Sequence, residues 1–179
     1  MRKLILIAAI IYSVTLTAQT KQQIEYPKSD VDYPAFTKLT IEAEKHRETH
    51  MVSLTEFIKW SKEKEVIILD TRSKKMYDMK HVKGAIHLNF SDFTANKLAE
   101  VIPSKKTKIL IYCNNNLDKD ERYFARKMAP LALNIPTFIN LYGYGYKNVY
   151  ELDRLVPTTP SPLELEGKAV KVKKKSSSY

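Results

Sequence analysis

Two stretches of the chain are apolar without interruption over the length of a strand. They are Val66-Ile67-Ile68-Leu69 and Ile109-Leu110-Ile111-Tyr112. Neither shows polar alternation, which is the pattern of a strand buried on both faces. Shorter strand candidates are Met51-Val52-Ser53, Gly84 to Leu88, and Asn148-Val149-Tyr150-Glu151-Leu152. Helical spacing falls between them. Phe57, Ile58 and Trp60 form one apolar face, preceded by Ser53 and Glu56 at the spacing of a capping box. Phe90 to Val101 reads as a second helix, with Ser91 and Asp92 near its start. Upstream, Phe36, Leu39 and Ala43 give residues 34–49 a weaker helical stripe. Glu42, Glu44, Lys45, Arg47 and Glu48 cover the opposite, outward face of that helix. Strands that alternate with helices predict an α/β domain whose central sheet is mostly parallel. Such sheets place ligands beyond the carboxyl ends of their strands. Cys113 falls at one of these ends.

The termini differ from this body. Arg2 and Lys3 precede an apolar run from Leu4 to Leu16, and polar Gln19 to Gln23 follow small residues at Thr17 and Ala18. This basic-apolar-polar order predicts a signal peptide over 1–18 and an exported, periplasmic or secreted, mature protein. A linker and helix would occupy 19–50 and the main domain 51–156. An extension that leaves regular structure after Leu155, ending in a Lys-rich tail, would occupy 157–179. The chain of 179 residues carries a formal charge of +10. Seven of its cations are Arg2, Lys3, Lys168, Lys171, Lys173, Lys174 and Lys175, and without them about +3 remains. Nucleic-acid binding has little support from so mild a body charge. Any membrane contact is expected only through the leader or the basic tail.

The sequence has one cysteine, so an exported chain could close no internal disulfide. Cys113 is then buried and inert, paired between chains, or reactive. His46 and His50 stand four apart and share a helix face, but no carboxylate or cysteine spacing completes a metal site around them. No metal or organic cofactor is implied.

Three stretches together resemble a known family. Ile67-Ile68-Leu69-Asp70-Thr71-Arg72 leads to Tyr77, His81, Val82, Gly84 and Ala85. Ile109 to Tyr112 delivers Cys113, and Gly145-Tyr146-Lys147-Asn148-Val149 comes later. Their order and spacing over residues 51–155 resemble the rhodanese-like domain. The resemblance implies a five-stranded sheet flanked by helices, with a reactive cysteine at the base of a cradle of backbone amides. In rhodaneses such a cysteine carries a persulfide between a sulfur donor and an acceptor. Carried over, Cys113 is the catalytic residue and Asn114, Asn115, Asn116, Leu117 and Asp118 form the cradle. Asp70, Arg72 and His81 are framework residues near the pocket. Amides aimed at the sulfur would favour thiolate and lower the Cys113 pKa.

The loop departs from the family pattern. No glycine or arginine follows Cys113 at the usual positions. If Thr137 to Tyr144 is the family's active-site helix, with Pro136 at its start, about fifteen extra residues separate it from the cysteine. This insertion, Asp118 to Ile135, holds Glu121, Arg122, Phe124, Ala125 and Met128, which could make a short helix. Its apolar residues Phe124, Met128, Leu131 and Leu133 predict an ordered excursion over Cys113. Arg122 and Arg126 could replace the missing arginine and draw an anion to the site. Tyr142, Tyr144 and Tyr146 are expected to pack against the insertion. The leading expectation is an exported sulfurtransferase or sulfane-sulfur carrier, with a small sulfur donor and a protein thiol acceptor as partners. A non-catalytic module that binds a protein through the enlarged loop is the alternative. A cysteine-dependent phosphatase ranks third, because no loop arginine forks onto an oxyanion.

Overall fold

A computed structural model describes residues 25–170, and the leader and most of the Lys-rich tail lie outside them. Residues 25–31 belong to a separate unit without helix or strand, and the fold runs from Asp32 onward. Its helices are α1 (Tyr33–Arg47), α2 (Leu54–Trp60), α3 (Lys74–Met79), α4 (Ala95–Val101) and α5 (Asn134–Gly143). Its strands are β1 (Met51–Val52), β2 (Val66–Asp70), β3 (His81–Val82), β4 (Ile86–His87), β5 (Lys108–Tyr112), β6 (Leu117–Asp118), β7 (Val149–Leu152), β8 (Val156–Pro157) and β9 (Leu165–Glu166).

The central sheet has the order β1-β7-β5-β2-β4, and every pair in it is parallel. The two long apolar runs, β2 and β5, lie side by side in its middle. Alternation along β5 divides the core. Ile109 and Ile111 face a cluster with Ala43, Leu98, Phe138 and Leu141, beneath α1, α4 and α5. Leu110 and Tyr112 face a second cluster with Phe57, Val82, Phe124 and Leu163. Burial of these side chains on both faces is the main stabilising term.

Local signals account for the helix starts. Ser53 and Glu56 form the expected capping box on α2. The stretch from Phe90 to Val101 is not one helix. A 3-10 turn over Phe90–Asp92 is followed by α4, whose N-cap Thr94 accepts a hydrogen bond from the Lys97 N–H. Helix α5 begins at Asn134, three residues before the expected Thr137, so Pro136 sits at its third position. Proline is tolerated there because the first helical N–H groups have no intrahelical partner.

Two expectations are corrected. The chain after Leu155 does not leave regular structure: β8 pairs with β6 and β9 pairs with β3. These two-residue ladders hold a strap whose Leu163 joins the core. The expected helix over residues 121–128 does not form; before α5 begins at Asn134 the insertion runs through turns to a 3-10 turn at Ala129–Leu131. Phe124 is buried within it, but Met128 and Leu131 are exposed.

Candidate active site

Parallel strands bring the carboxyl ends of β2, β4 and β5 into line, with Asp70 paired to both Tyr112 and His87. Cys113 continues β5 in an extended conformation and is fully buried. Its position two residues beyond Ile111 turns its side chain toward the α1–α5 face. Ile111 is paired with Glu151 of β7, so Glu151 stands on that same face close to the sulfur.

Three amides lie around the sulfur. The Asn115 N–H donates to Cys113 Sγ at 3.4 Å, and the backbone amides of Asn134 and Leu133 lie near enough to favour its anionic form. This corrects the expected cradle. Of Asn114, Asn115, Asn116, Leu117 and Asp118, only Asn115 gives its amide to the sulfur. The Asn116 N–H goes to the Cys113 carbonyl and the Leu117 N–H to that of Asn114, while Leu117 and Asp118 form β6. The other two nearby amides sit at the start of α5, brought in by the far end of the insertion. The ionisation is corrected too. Burial pushes the Cys113 thiol up, the three amides oppose this only in part, and the Glu151 charge adds to the rise.

The asparagines serve other ends. Asn114 Nδ2 donates to the Ala125 carbonyl, and Asn115 exchanges side-chain hydrogen bonds with the backbone of Lys127. They tie the insertion down beside the cysteine. Asn116 Oδ1 accepts from the Cys113 N–H at 2.9 Å and from Asn134 Nδ2 at 2.7 Å.

Asp70 and Arg72 form a buried ion pair, with Arg72 Nη2 2.6 Å from Asp70 Oδ2. Arg72 also donates to the carbonyls of Tyr123 and Lys80, and its guanidinium lies 4.5 Å from the centre of the Phe124 ring. Burial alone would lower the Arg72 pKa, but hydrogen bonds and charge from Asp70 outweigh it and the net direction is up. Tyr112 donates to Asp70 Oδ2 at 2.5 Å and accepts from the Val82 N–H. Burial, then the Asp70 charge, raise the Tyr112 hydroxyl well above its ordinary value. His81 bonds the Tyr77 carbonyl and contacts Glu166 of the strap. These side chains brace the loops around the site without reaching the sulfur.

A cavity of about 290 Å³ opens above the strand ends, between Thr71, Ser73, Ser91, Asn114, Lys127 and Leu133. Cys113 does not line it. Neither do the two arginines expected to attract an anion: Arg126 lies 3.7 Å from Asp118 and Arg122 beside the Tyr123 ring. Lys127 lines the cavity, as does Arg72, whose charge is paired with Asp70. Asn114 Oδ1 is buried and accepts no hydrogen bond. The tyrosines pack elsewhere than on the insertion. Tyr146 is in the core, Tyr142 lies against His46, and the Tyr144 hydroxyl reaches the Phe93 carbonyl. His46 and His50 stack at 3.8 Å, and among the described residues no group of three or more His, Cys, Asp or Glu side chains is placed to hold a metal.

Sequence reasoning missed Glu151, Asn134 and Arg47. Glu151 did leave a signal, a carboxylate at a core-facing parity in a buried strand. Arg47, expected on the outward face of α1, turns in to Glu151, with Nε to Oε2 at 2.5 Å and Nη2 to Oε1 at 2.9 Å.

A five-stranded parallel sheet flanked by helices, with a cysteine beyond the central strand among convergent amides, defines an α/β domain of rhodanese type. The sequence profile of the Rhodanese-like domain matches residues 53–154, more than half of the chain, and the chain belongs to that family. No curated protein matches the sequence. Among solved structures, a rhodanese with anions from E. coli is 18% identical, with 57% of this chain and 98% of that one covered, at a TM-score of 0.38. A rhodanese-like domain from Anabaena sp. is 19% identical, with 73% and 89% covered, at 0.45. A thiosulfate sulfurtransferase from Pseudomonas aeruginosa is 19% identical, with 72% and 22% covered, at 0.44.

Proposed function

We propose that the protein is a sulfurtransferase or sulfane-sulfur carrier that works through a persulfide on Cys113. The observation that carries this reading is the buried sulfur beyond the central strand, bonded by the Asn115 N–H and with the Leu133 and Asn134 amides nearby. In the reaction, the Cys113 thiolate attacks the outer sulfur of thiosulfate. A Cys113 S–S bond forms, the donor S–S bond breaks, and sulfite leaves with the electron pair. An acceptor thiolate then takes the terminal sulfur and returns Cys113 as thiolate. Amides aimed at Sγ stabilise the anionic forms along this path. Because the sulfur is fully covered, turnover requires the Leu133–Asn134 turn to lift and join the sulfur to the cavity beside Lys127. Such opening is the gating step common to lidded sites.

The site is further proposed to act outside the cytoplasm, on the strength of the basic-apolar-polar order at the N-terminus. Its partners would be a small sulfur donor and a protein thiol. The test is sulfur transfer from thiosulfate to a thiol acceptor by wild type and Cys113→Ser. Transfer lost in the variant supports the reading, and equal inactivity of both proteins with every donor refutes it.

A second reading draws on the same burial. A covered thiol with a raised pKa suits a non-catalytic module, and Met128 and Leu131 stand exposed on the enlarged loop. That reading gains if Cys113 resists every sulfur donor while the protein stays folded.

A further inference from the structure

Helix α1 precedes the segment matched to the family, residues 53–154, yet it reaches the cysteine through an unbroken series of polar contacts. Arg47 holds both oxygens of Glu151, at 2.5 and 2.9 Å. Glu151 Oε1 accepts from Asn134 Nδ2 at 3.1 Å. The same Asn134 Nδ2 donates to Asn116 Oδ1 at 2.7 Å, and that oxygen accepts the Cys113 N–H at 2.9 Å. Asn116 also donates to the Leu152 and Arg154 carbonyls, which ties the series to the end of β7. Glu151, Asn134, Asn116 and Cys113 are all buried, so the contacts among them act in a low-dielectric setting where an unpaired member is costly, while Arg47 is half-buried.

Two consequences follow from this order. The Asn134 amide lies beside the sulfur, and the Asn134 side chain is anchored to Glu151 and to the Asn116 oxygen that holds the Cys113 N–H. The position of that amide therefore depends on where Glu151 is held. Glu151 also puts a negative charge beside the thiol, and Arg47 opposes it. The charged groups facing the thiol are Glu151 from β7 and, behind it, Arg47 from α1, itself flanked by Glu44.

We propose that Arg47 is a positioning residue for Cys113, fixing Glu151 and through it the α5 amides, and offsetting the carboxylate's charge on the sulfur. The proposal rests on Cys113 being the working residue of the site.

The test is an equilibrium pH titration of thiolate ultraviolet absorbance, with Cys113→Ser as the baseline and no sulfur donor present. Arg47→Met leaves Glu151 uncompensated, and the thiol midpoint rises by on the order of one pH unit. Glu151→Gln keeps an acceptor for Asn134 and removes the negative charge, and the midpoint falls. The double variant Arg47→Met/Glu151→Gln returns toward wild type. Arg47→Lys, which keeps the charge but loses the fork, gives a smaller rise and serves if Arg47→Met does not fold. A midpoint that stays at the wild-type value in folded Arg47→Lys and Glu151→Gln overturns the proposal, whatever their thermal stability. Shifted midpoints without sulfur transfer would overturn the persulfide reading alone. Transfer with unmoved midpoints would overturn this one alone.

Discussion

Arg72→Met removes the cation from the buried framework beside the site. The guanidinium makes three side-chain contacts to Asp70 and one each to the Tyr123 and Lys80 carbonyls. Methionine preserves some packing against Phe124 but leaves Asp70 a buried carboxylate, held only by the Tyr112 hydroxyl and the Arg72 backbone N–H. Breaking a buried pair by removing one partner costs about 3–5 kcal/mol. The residual donors to Asp70 place the expected loss near the lower end, at about 3 kcal/mol. With a urea slope of about 1–3 kcal/mol/M, the unfolding midpoint should fall by roughly 1–3 M. The assay is equilibrium urea unfolding followed by circular dichroism and by Trp60 fluorescence. The exposed pair of Lys97 and Glu100 supplies the control, and Lys97→Ala should move the midpoint little. A loss below about 1 kcal/mol for Arg72→Met would refute the reasoning, since the pair would then be contributing like a surface bridge.

Two further outcomes are expected. The thiol pKa of Cys113 is raised on folding, so its stabilising contribution is whole below the unfolded thiol value and is lost as pH rises through the folded one. Wild type should thus lose stability relative to Cys113→Ser above about pH 8.5, read from urea midpoints; a difference independent of pH would contradict the burial argument. Gly167 has φ +125°, and an added Cβ would lie 2.6 Å from the Met79 carbonyl oxygen, so Gly167→Ala should release the strap. Limited proteolysis near β9 should become faster, and unchanged cleavage would show that the strap does not depend on that close approach.

The sheet was legible because β2 and β5 are long and apolar on both faces, a pattern that survives without any neighbour. The short ladders were not. A two-residue strand such as β6 or β9 has no period to read, and its pairing is decided by where the strap falls after folding. The insertion misled for a related reason. Apolar content said that it would be ordered, but Met128 and Leu131 stay exposed while the polar Asn114 and Asn115 do the anchoring. The cysteine's place at a strand end came from the sequence, whereas the amides around it did not. Leu133 and Asn134 are twenty or more residues away along the chain, and only the packing of α5 over β5 brings them to the sulfur. Arg47 was assigned to the outward face of α1 because helical periodicity cannot see a carboxylate buried on a distant strand.

The central claim is that Cys113 carries sulfane sulfur, and the intact mass of the folded protein tests it most directly. Protein incubated with thiosulfate and then freed of it should be heavier by one sulfur atom. The gain should disappear on treatment with a thiol reductant and should not occur in Cys113→Ser. A mass that thiosulfate leaves unchanged in folded wild-type protein, or a gain that persists in Cys113→Ser, would contradict the account.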